Sequence, residues 1–178
     1  MTIRFATPAD TSQILAIYAP YIINSVITFE YEVPAVNDFA ARMQTIQQQL
    51  PYLVAEVDGR ILGYAYASKH RDRIAYQWSV DTSVYIHPDG QRQGIGRRLY
   101  TVLFDLLRRQ GYYNAYAGIT IPNPGSEALH RSFGFKPVGV YTNVGYKFDK
   151  WHDVIWLQLT LQPYASNPSD PVPIGDLV

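Results

Sequence analysis

Gln91-Arg92-Gln93-Gly94-Ile95-Gly96 follow a strand-like run, Val80 to Ile86, that Pro88 closes, and they open a stretch with helical spacing. Glycine at the mouth of a helix leaves backbone N–H groups uncovered. Those donors have no partner inside the helix, and with the positive end of the helix dipole they make a site for an anion. The spacing is not G-x-x-x-x-G-K-[ST], which excludes a P-loop, and not G-x-G-x-x-G, which speaks against a dinucleotide fingerprint. Taken alone, the hexapeptide also fits an ordinary turn.

The elements that must hold this loop can be read from punctuation and periodicity. Ile3 to Ala6 reads as a first strand. Thr7, Pro8 and Asp10 have the spacing of a helix cap, and Ile14, Leu15, Ile17 and Tyr18 give a helical stripe that Pro20 ends or kinks. A loop, Asn24 to Pro34, precedes a second helix, roughly Asn37 to Leu50. Tyr52–Val57 and Arg60–Ala67 form a hairpin around the turn pair Asp58-Gly59. A polar loop, Ser68 to Arg73, leads into the strand before the glycines. The helix after Gly96 carries Leu99, Val102, Leu103, Leu106 and Leu107 and ends at Gly111. Ala115–Ile121 is a strand and Pro124–Phe133 a short helix. Lys136–Val144 and Trp151–Leu161 are two further strands. The order β, α, α, β, β, β, α, β, α, β, β predicts an α+β fold with a mixed central sheet of about seven strands flanked by helices.

Composition narrows the chemistry. The chain has 178 residues, 47% of them apolar, which suits one domain with a sizeable core. Basic and acidic residues balance at 15 each, so a nucleic-acid partner is not expected. There is no cysteine, which excludes disulfides, thiolate metal sites and a cysteine nucleophile. The four histidines, His70, His87, His130 and His152, lie far apart without an H-E-x-x-H pattern, and no metal is expected. No apolar signal core stands at the start, and no stretch approaches ~18 uninterrupted apolar residues. The expectation is a cytoplasmic protein without a membrane partner.

A second motif sharpens the first. Asn123, Ser126, Leu129, His130, Gly134 and Phe135 follow the pattern N-x-x-S/A-x-x-L-Y/H-x-x-x-G-F. Together the two motifs, in this order and on these elements, resemble the GNAT superfamily of N-acetyltransferases. Phe29-Glu30, Arg71 and Arg73, Ser83-Val84-Tyr85, Leu129-His130 and Gly145-Tyr146-Lys147-Phe148 with Trp151 and Asp153 are similar to its phosphinothricin and methionine-sulfoximine N-acetyltransferase branch. The resemblance covers about residues 2–162. Outside it, the polar tail with its prolines, 163–178, is expected to run irregularly over the surface or a partner subunit, while the resemblance implies a GNAT domain over residues 1–162. It also implies a homodimer.

The resemblance implies acetyl-CoA as co-substrate, held by Val84, Tyr85, Ile86, Gln91, Arg92, Gln93, Gly94, Ile95, Gly96, Arg97, Asn123 and Ser132. Two positions depart from the branch. It usually has arginine and glycine where this chain has Gln91 and Arg92; neither change removes a backbone donor. It usually has glutamate where this chain has Asp81, one methylene shorter.

Acetyl transfer to an amine requires that an ammonium lose its proton, and a carboxylate, alone or through water, can take it. Asp81 is the candidate base; it fits equally a strand-edge aspartate that pairs with an arginine or caps a turn. His130 is the candidate catalytic acid for the leaving thiolate, and a histidine on a short helix also serves structure. The oxyanion needs a donor, such as the N–H of Val84 or Tyr85. Arg71 and Arg73 could fork a substrate carboxylate. Phe29, Glu30 and Tyr85 complete the substrate-binding set, with Trp151 as a further pocket wall, and Lys147 and Asp153 form a structural pair behind it. The reading is direct acetyl transfer to the α-amino group of a small amino-acid analogue. Another amine acceptor, such as a polyamine or antibiotic, and an acetyl-CoA-binding regulatory module are the alternatives. Arg71 and Arg73 speak against a polycation.

Overall fold

The computed structural model describes residues 1–177. Its elements are β1 (Thr2–Phe5), α1 (Thr11–Asn24), α2 (Val36–Gln47), β2 (Tyr52–Val57), β3 (Arg60–Lys69), β4 (Ser79–Ile86), α3 (Ile95–Gln110), β5 (Asn114–Thr120), α4 (Pro124–Ser132), β6 (Lys136–Lys147) and β7 (Lys150–Thr160). The strands form one mixed sheet in the order β1-β2-β3-β4-β5-β7-β6, the seven-stranded α+β arrangement expected. Among the described residues only β4 and β5 run parallel, joined by α3 as the crossover.

Two layers of helix cover the sheet. Ile14, Ile17, Tyr18 and Ile22 of α1 and Phe39 and Met43 of α2 pack on Tyr52, Val54 and Tyr64. On the other face Leu99, Leu103 and Leu107 of α3 are fully buried against Leu53, Ala65, Val80, Ala115 and Leu157. Each such leucine contributes roughly 1.5–3 kcal/mol of burial.

The start of α1 is fixed electrostatically. The Asp10 carboxylate accepts the Thr7 N–H at 2.7 Å and both guanidinium nitrogens of Arg4, and the Arg4 contact holds its pKa down to about 2. Pro20 does not end α1, which runs on to Asn24. Pro20 lies on the solvent side, where the carbonyl it leaves unbonded can be hydrated while the buried stripe stays on the sheet. The β6–β7 hairpin is tighter than expected. Phe148 and Asp149 turn it with φ of 51° and 58°, a left-handed pair reached without glycine.

The segment after β7 returns to its own chain. Val172 and Gln110 exchange backbone and side-chain hydrogen bonds, Trp78 Nε1 donates to the Ser169 carbonyl, and Ile174 is buried in the main core. Among the described residues no helix is long and apolar enough to cross a membrane.

Candidate active site

The two central strands part. β4 and β5 pair only from Ser79–Asp81 to Asn114–Tyr116. Beyond that point β4 stays bound to β3 as far as Ile86, and β5 stays bound to β7 as far as Thr120. The inner edges therefore diverge, and backbone groups of β4 beyond Asp81 lose their β5 partners. The fork encloses about 400 Å³ of space open to solvent, lined among others by Val84, Tyr85, Ile119, Asn123, Ser126 and His130. Tyr21 steadies the outer end of β4 by donating its hydroxyl to the Ile86 carbonyl at 2.6 Å.

At that end stands the mouth of α3. Gly94 caps the helix at φ 75°, and Arg92 adopts φ 59°. A left-handed backbone costs a non-glycine residue ~1–2 kcal/mol. Arg92 thus holds a backbone shape that glycine adopts more readily, and adds a cation. Gln91, Arg92, Gln93 and Gly94 are exposed, whereas Ile95 is anchored in the core. The first turn of α3 contains no acid, and Arg92, Arg97 and Arg98 surround it. Uncovered amides, the helix dipole and these guanidiniums fit a diphosphate. Gly96 has a second use. A Cβ there would lie 3.1 Å from Leu129 Cδ2, so glycine lets α3 close on α4. Arg97 lies over the Phe133 ring, 5.5 Å from its centroid.

Asn123 caps α4 by accepting the Ser126 N–H at 3.1 Å. His130 is 3% exposed. Its Nδ1 lies 2.7 Å from the Ser126 carbonyl, which can only accept, so Nδ1 carries the proton and Nε2 accepts from Tyr100 Oη at 3.0 Å. Burial lowers the His130 pKa and keeps the ring neutral. In this arrangement its single N–H is given to α4 itself. Ser132 bonds the Leu129 carbonyl and is not among the cleft-lining residues.

The opposite face of the sheet carries the other candidates. Asp81 Oδ1 lies 2.6 Å from Nδ1 of His70, a residue the sequence reading passed over. Burial raises the Asp81 pKa, and His70 and Arg71 oppose that rise. Arg71 reaches back to the His70 carbonyl at 2.8 Å, and Arg73 precedes the short turn Ile74–Tyr76. Both are exposed, and among the described residues neither forms an ion pair. Glu30 accepts from Arg42 at 2.7 Å and from the Tyr18 hydroxyl at 3.3 Å. Phe29 lies so close to Gly145 that any Cβ there would fall 2.2 Å from the ring. Tyr85 packs against Tyr18, Tyr21 and Tyr64. Trp151 stands apart, 61% exposed, against Tyr146 at the β6–β7 turn.

Lys147 does not pair with Asp153. Its ammonium is buried, 2% exposed, and donates to the carbonyls of Ile22, Ser25 and Thr28 at 2.7–2.9 Å. Burial pulls its pKa down. Asp153 instead accepts the Asn143 N–H in the bulge of β6. Lys147 is therefore the clamp that closes the end of α1 and shapes the loop carrying Phe29 and Glu30. Spacing alone had no means of finding it, because its partners are backbone atoms more than a hundred residues away.

A sheet forked beside a glycine-mouthed helix, with a carboxylate at the base of the fork, is the architecture of an acetyl-transferring enzyme. The family model of the acetyltransferase (GNAT) domain matches residues 3–156, and the chain belongs to that family. It is 36% identical to a phosphinothricin N-acetyltransferase of Streptomyces viridochromogenes, over 96% of this chain and 93% of that one. It is 35% identical to an L-methionine sulfoximine/L-methionine sulfone acetyltransferase of Salmonella typhimurium, over 93% of this chain and 98% of the relative. A GNAT-superfamily phosphinothricin acetyltransferase of Sinorhizobium meliloti, solved in complex with acetyl-CoA, superposes with a TM-score of 0.91. It is 36% identical, and the match covers 96% of this chain and 94% of that one. The protein is an N-acetyltransferase of the GNAT family.

The clamp makes a prediction. Lys147→Met leaves three carbonyls without their donor, at roughly 1–3 kcal/mol for each that stays dry. Urea denaturation of the variant is expected to show a stability loss of that order. In the part that folds, KM for the acceptor should rise more than the dissociation constant for acetyl-CoA. Unchanged stability and acceptor KM contradict the assignment.

Proposed function

We propose that this chain transfers the acetyl group of acetyl-CoA directly to the α-amino group of a small amino-acid analogue of the phosphinothricin or methionine-sulfoximine kind. The observation that carries this reading is the placement of two different sites on β4. The anion-binding mouth of α3 lies beyond its outer end, and the Asp81 carboxylate lies where it parts from β5. An acyl donor anchored by its diphosphate and an amine approaching Asp81 then meet near Val84 and Tyr85.

Each residue has a defined task. The loop Gln91–Gly96, with Arg92 and Arg97, holds the diphosphate of the donor. Val84, Tyr85 and Ile86, on the unpaired edge of β4, are strand partners for the amide-bearing arm, and Asn123 keeps α4 in place across the cleft. An N–H from Val84 or Tyr85 stabilises the oxyanion. An α-ammonium titrates near pH ~8, so at neutral pH it must lose a proton before it attacks. Asp81 provides the negative charge at the point where that proton leaves. Arg71 and Arg73, exposed and without an ion pair among the described residues, bind the acceptor carboxylate, while Phe29, Glu30 and Tyr85 bound its side chain. No acyl-enzyme is needed, and the chain has no cysteine to form one.

We also infer that a second copy covers β6. This strand is the edge of the sheet, and Val138, Val140, Tyr141, Val144 and Tyr146 are each 46–59% exposed along it. A long apolar edge left open invites aggregation, and pairing with a second copy removes that hazard. Sedimentation velocity should show a dimer, and Val140→Glu should shift it toward monomer. A monomeric parent contradicts the inference.

A thiol-release assay over a panel of amines tests the reaction. Phosphinothricin and methionine sulfoximine are expected to be acetylated, polyamines and aminoglycosides not. Losing a charge-assisted contact is worth ~1.5–3 kcal/mol. Replacing the acceptor carboxylate by a carboxamide, or Arg71 or Arg73 by alanine, should therefore raise acceptor KM roughly 10- to 150-fold. Preference for a polyamine contradicts the acceptor class, and no thiol release with any amine contradicts the enzyme reading.

A further inference from the structure

Asp81 does not face the acceptor side alone. Its Oδ1 is 2.6 Å from His70 Nδ1, and the imidazole lies parallel to the Tyr116 ring, centroids 4.4 Å apart and planes 15° from parallel. Tyr76 and Trp156 meet the same ring edge-on, at 6.2 and 6.3 Å. The plane and the rotation of the imidazole are thereby fixed. Nε2, on the far side of the ring from Asp81, forms no hydrogen bond among the described residues. His70 is largely covered, with 13% of its side chain exposed.

We propose that His70 Nε2 is the general base of the transfer, and that Asp81 acts through it by holding the proton on Nδ1. The proposal rests on the acetyltransferase reading given above and names the atom that receives the proton.

Three arguments support it. The first is chemical. An ionised carboxylate can only accept, so a neutral His70 places its proton on Nδ1 and leaves the Nε2 lone pair free. A carboxylate that fixes the tautomer and stabilises the imidazolium that forms is the arrangement that makes histidine an effective base. The second is proton affinity. A carboxylate is a far weaker base than an α-amine, and an imidazole closes much of that gap. The third is reach. The Asp81 side chain is short, and the imidazole seated on it extends the accepting atom outward by the width of a ring.

The surroundings are compatible with this role. The titratable and charged groups facing His70 are Asp81 from β4, Tyr116 from β5, Tyr76 from the turn before β4, and Arg71 from its own loop. Asp81 is the anion among them, and Arg71 is tethered to the His70 carbonyl. In the step itself the acceptor ammonium sheds two protons. One passes to Nε2 and from there to water. The amine lone pair forms the C–N bond to the acyl carbon and the carbonyl π pair moves onto oxygen; that pair then returns as the C–S bond breaks, and the second proton ends on the thiol.

Steady-state kinetics against pH test the assignment, with the parent, His70→Gln and His70→Phe. Phenylalanine keeps the stack on Tyr116 and removes both nitrogens. Loss of a general base is expected to lower kcat at neutral pH by ~10²–10⁴-fold. The deficit should shrink as pH rises and the amine arrives already neutral, and the affinity for acetyl-CoA should be unchanged. Retained kcat in either variant, or a loss of the same size at every pH, overturns the proposal and leaves His70 a structural tie. A parent that acetylates no α-amino acid is a different result and counts against the underlying function. Nitrogen-15 NMR of the parent gives a reading independent of how the variants fold. The Nδ1–H tautomer of His70 is expected, and an Nε2–H tautomer overturns the proposal.

Discussion

The parting of β4 from β5 is the constraint on which the rest of the structure depends. Paired strands satisfy their own backbone groups, so a sheet does not open without something holding each arm from outside. Here β3 holds β4 along its whole outer edge, and β7 holds β5. Both arms end at helices whose first turns follow the fork, α3 through Gly94 and α4 through Asn123. The sheet therefore supplies three kinds of group at one place: strand amides on the open edge, helix-mouth amides beyond its end, and Asp81 where pairing stops.

The two faces of the sheet then divide the labour. The α3–α4 side is cationic at its mouth, through Arg92, Arg97 and Arg98. The α1–α2 side is aromatic, with Tyr18, Tyr52, Tyr64, Tyr66 and Tyr85 in mutual contact. Polar groups are set into that surface in pairs: Asp81 with His70, and Glu30 with Arg42. Burial inside this face pushes the Tyr64 and Tyr85 hydroxyls well above the usual phenol range, so they remain neutral. The loop that closes the face depends on one buried cation, Lys147, whose three acceptors are all carbonyls at or just beyond the end of α1.

Much of this was legible in the sequence. Pro88 and the glycines marked the end of β4 and the start of α3, Asp58-Gly59 marked the β2–β3 turn, and the leucine stripe of α3 gave its buried face. The features that were not legible share a physical reason. The His70–Asp81 contact depends on the β3–β4 register, in which Ser68 faces Asp81 and brings the following loop over the carboxylate. Register is set by long-range pairing rather than by local pattern. Lys147 reads as a strand lysine, and nothing local announces that its partners are backbone carbonyls. Phe148 and Asp149 make a left-handed turn that glycine or asparagine would have advertised. Pro20 is tolerated because tertiary packing outweighs one lost helical bond.

Calorimetric titration with acetyl-CoA, set beside S-acetylpantetheine, which keeps the thioester and the amide-bearing arm but lacks the diphosphate and the 3′-phosphoadenosine joined to it, tests the forked sheet and the helix mouth together. The account predicts that the chain binds acetyl-CoA and that removal of the diphosphate weakens binding at least ~10-fold, about 1.4 kcal/mol. Equal affinity for the two, or no binding of acetyl-CoA, would contradict it.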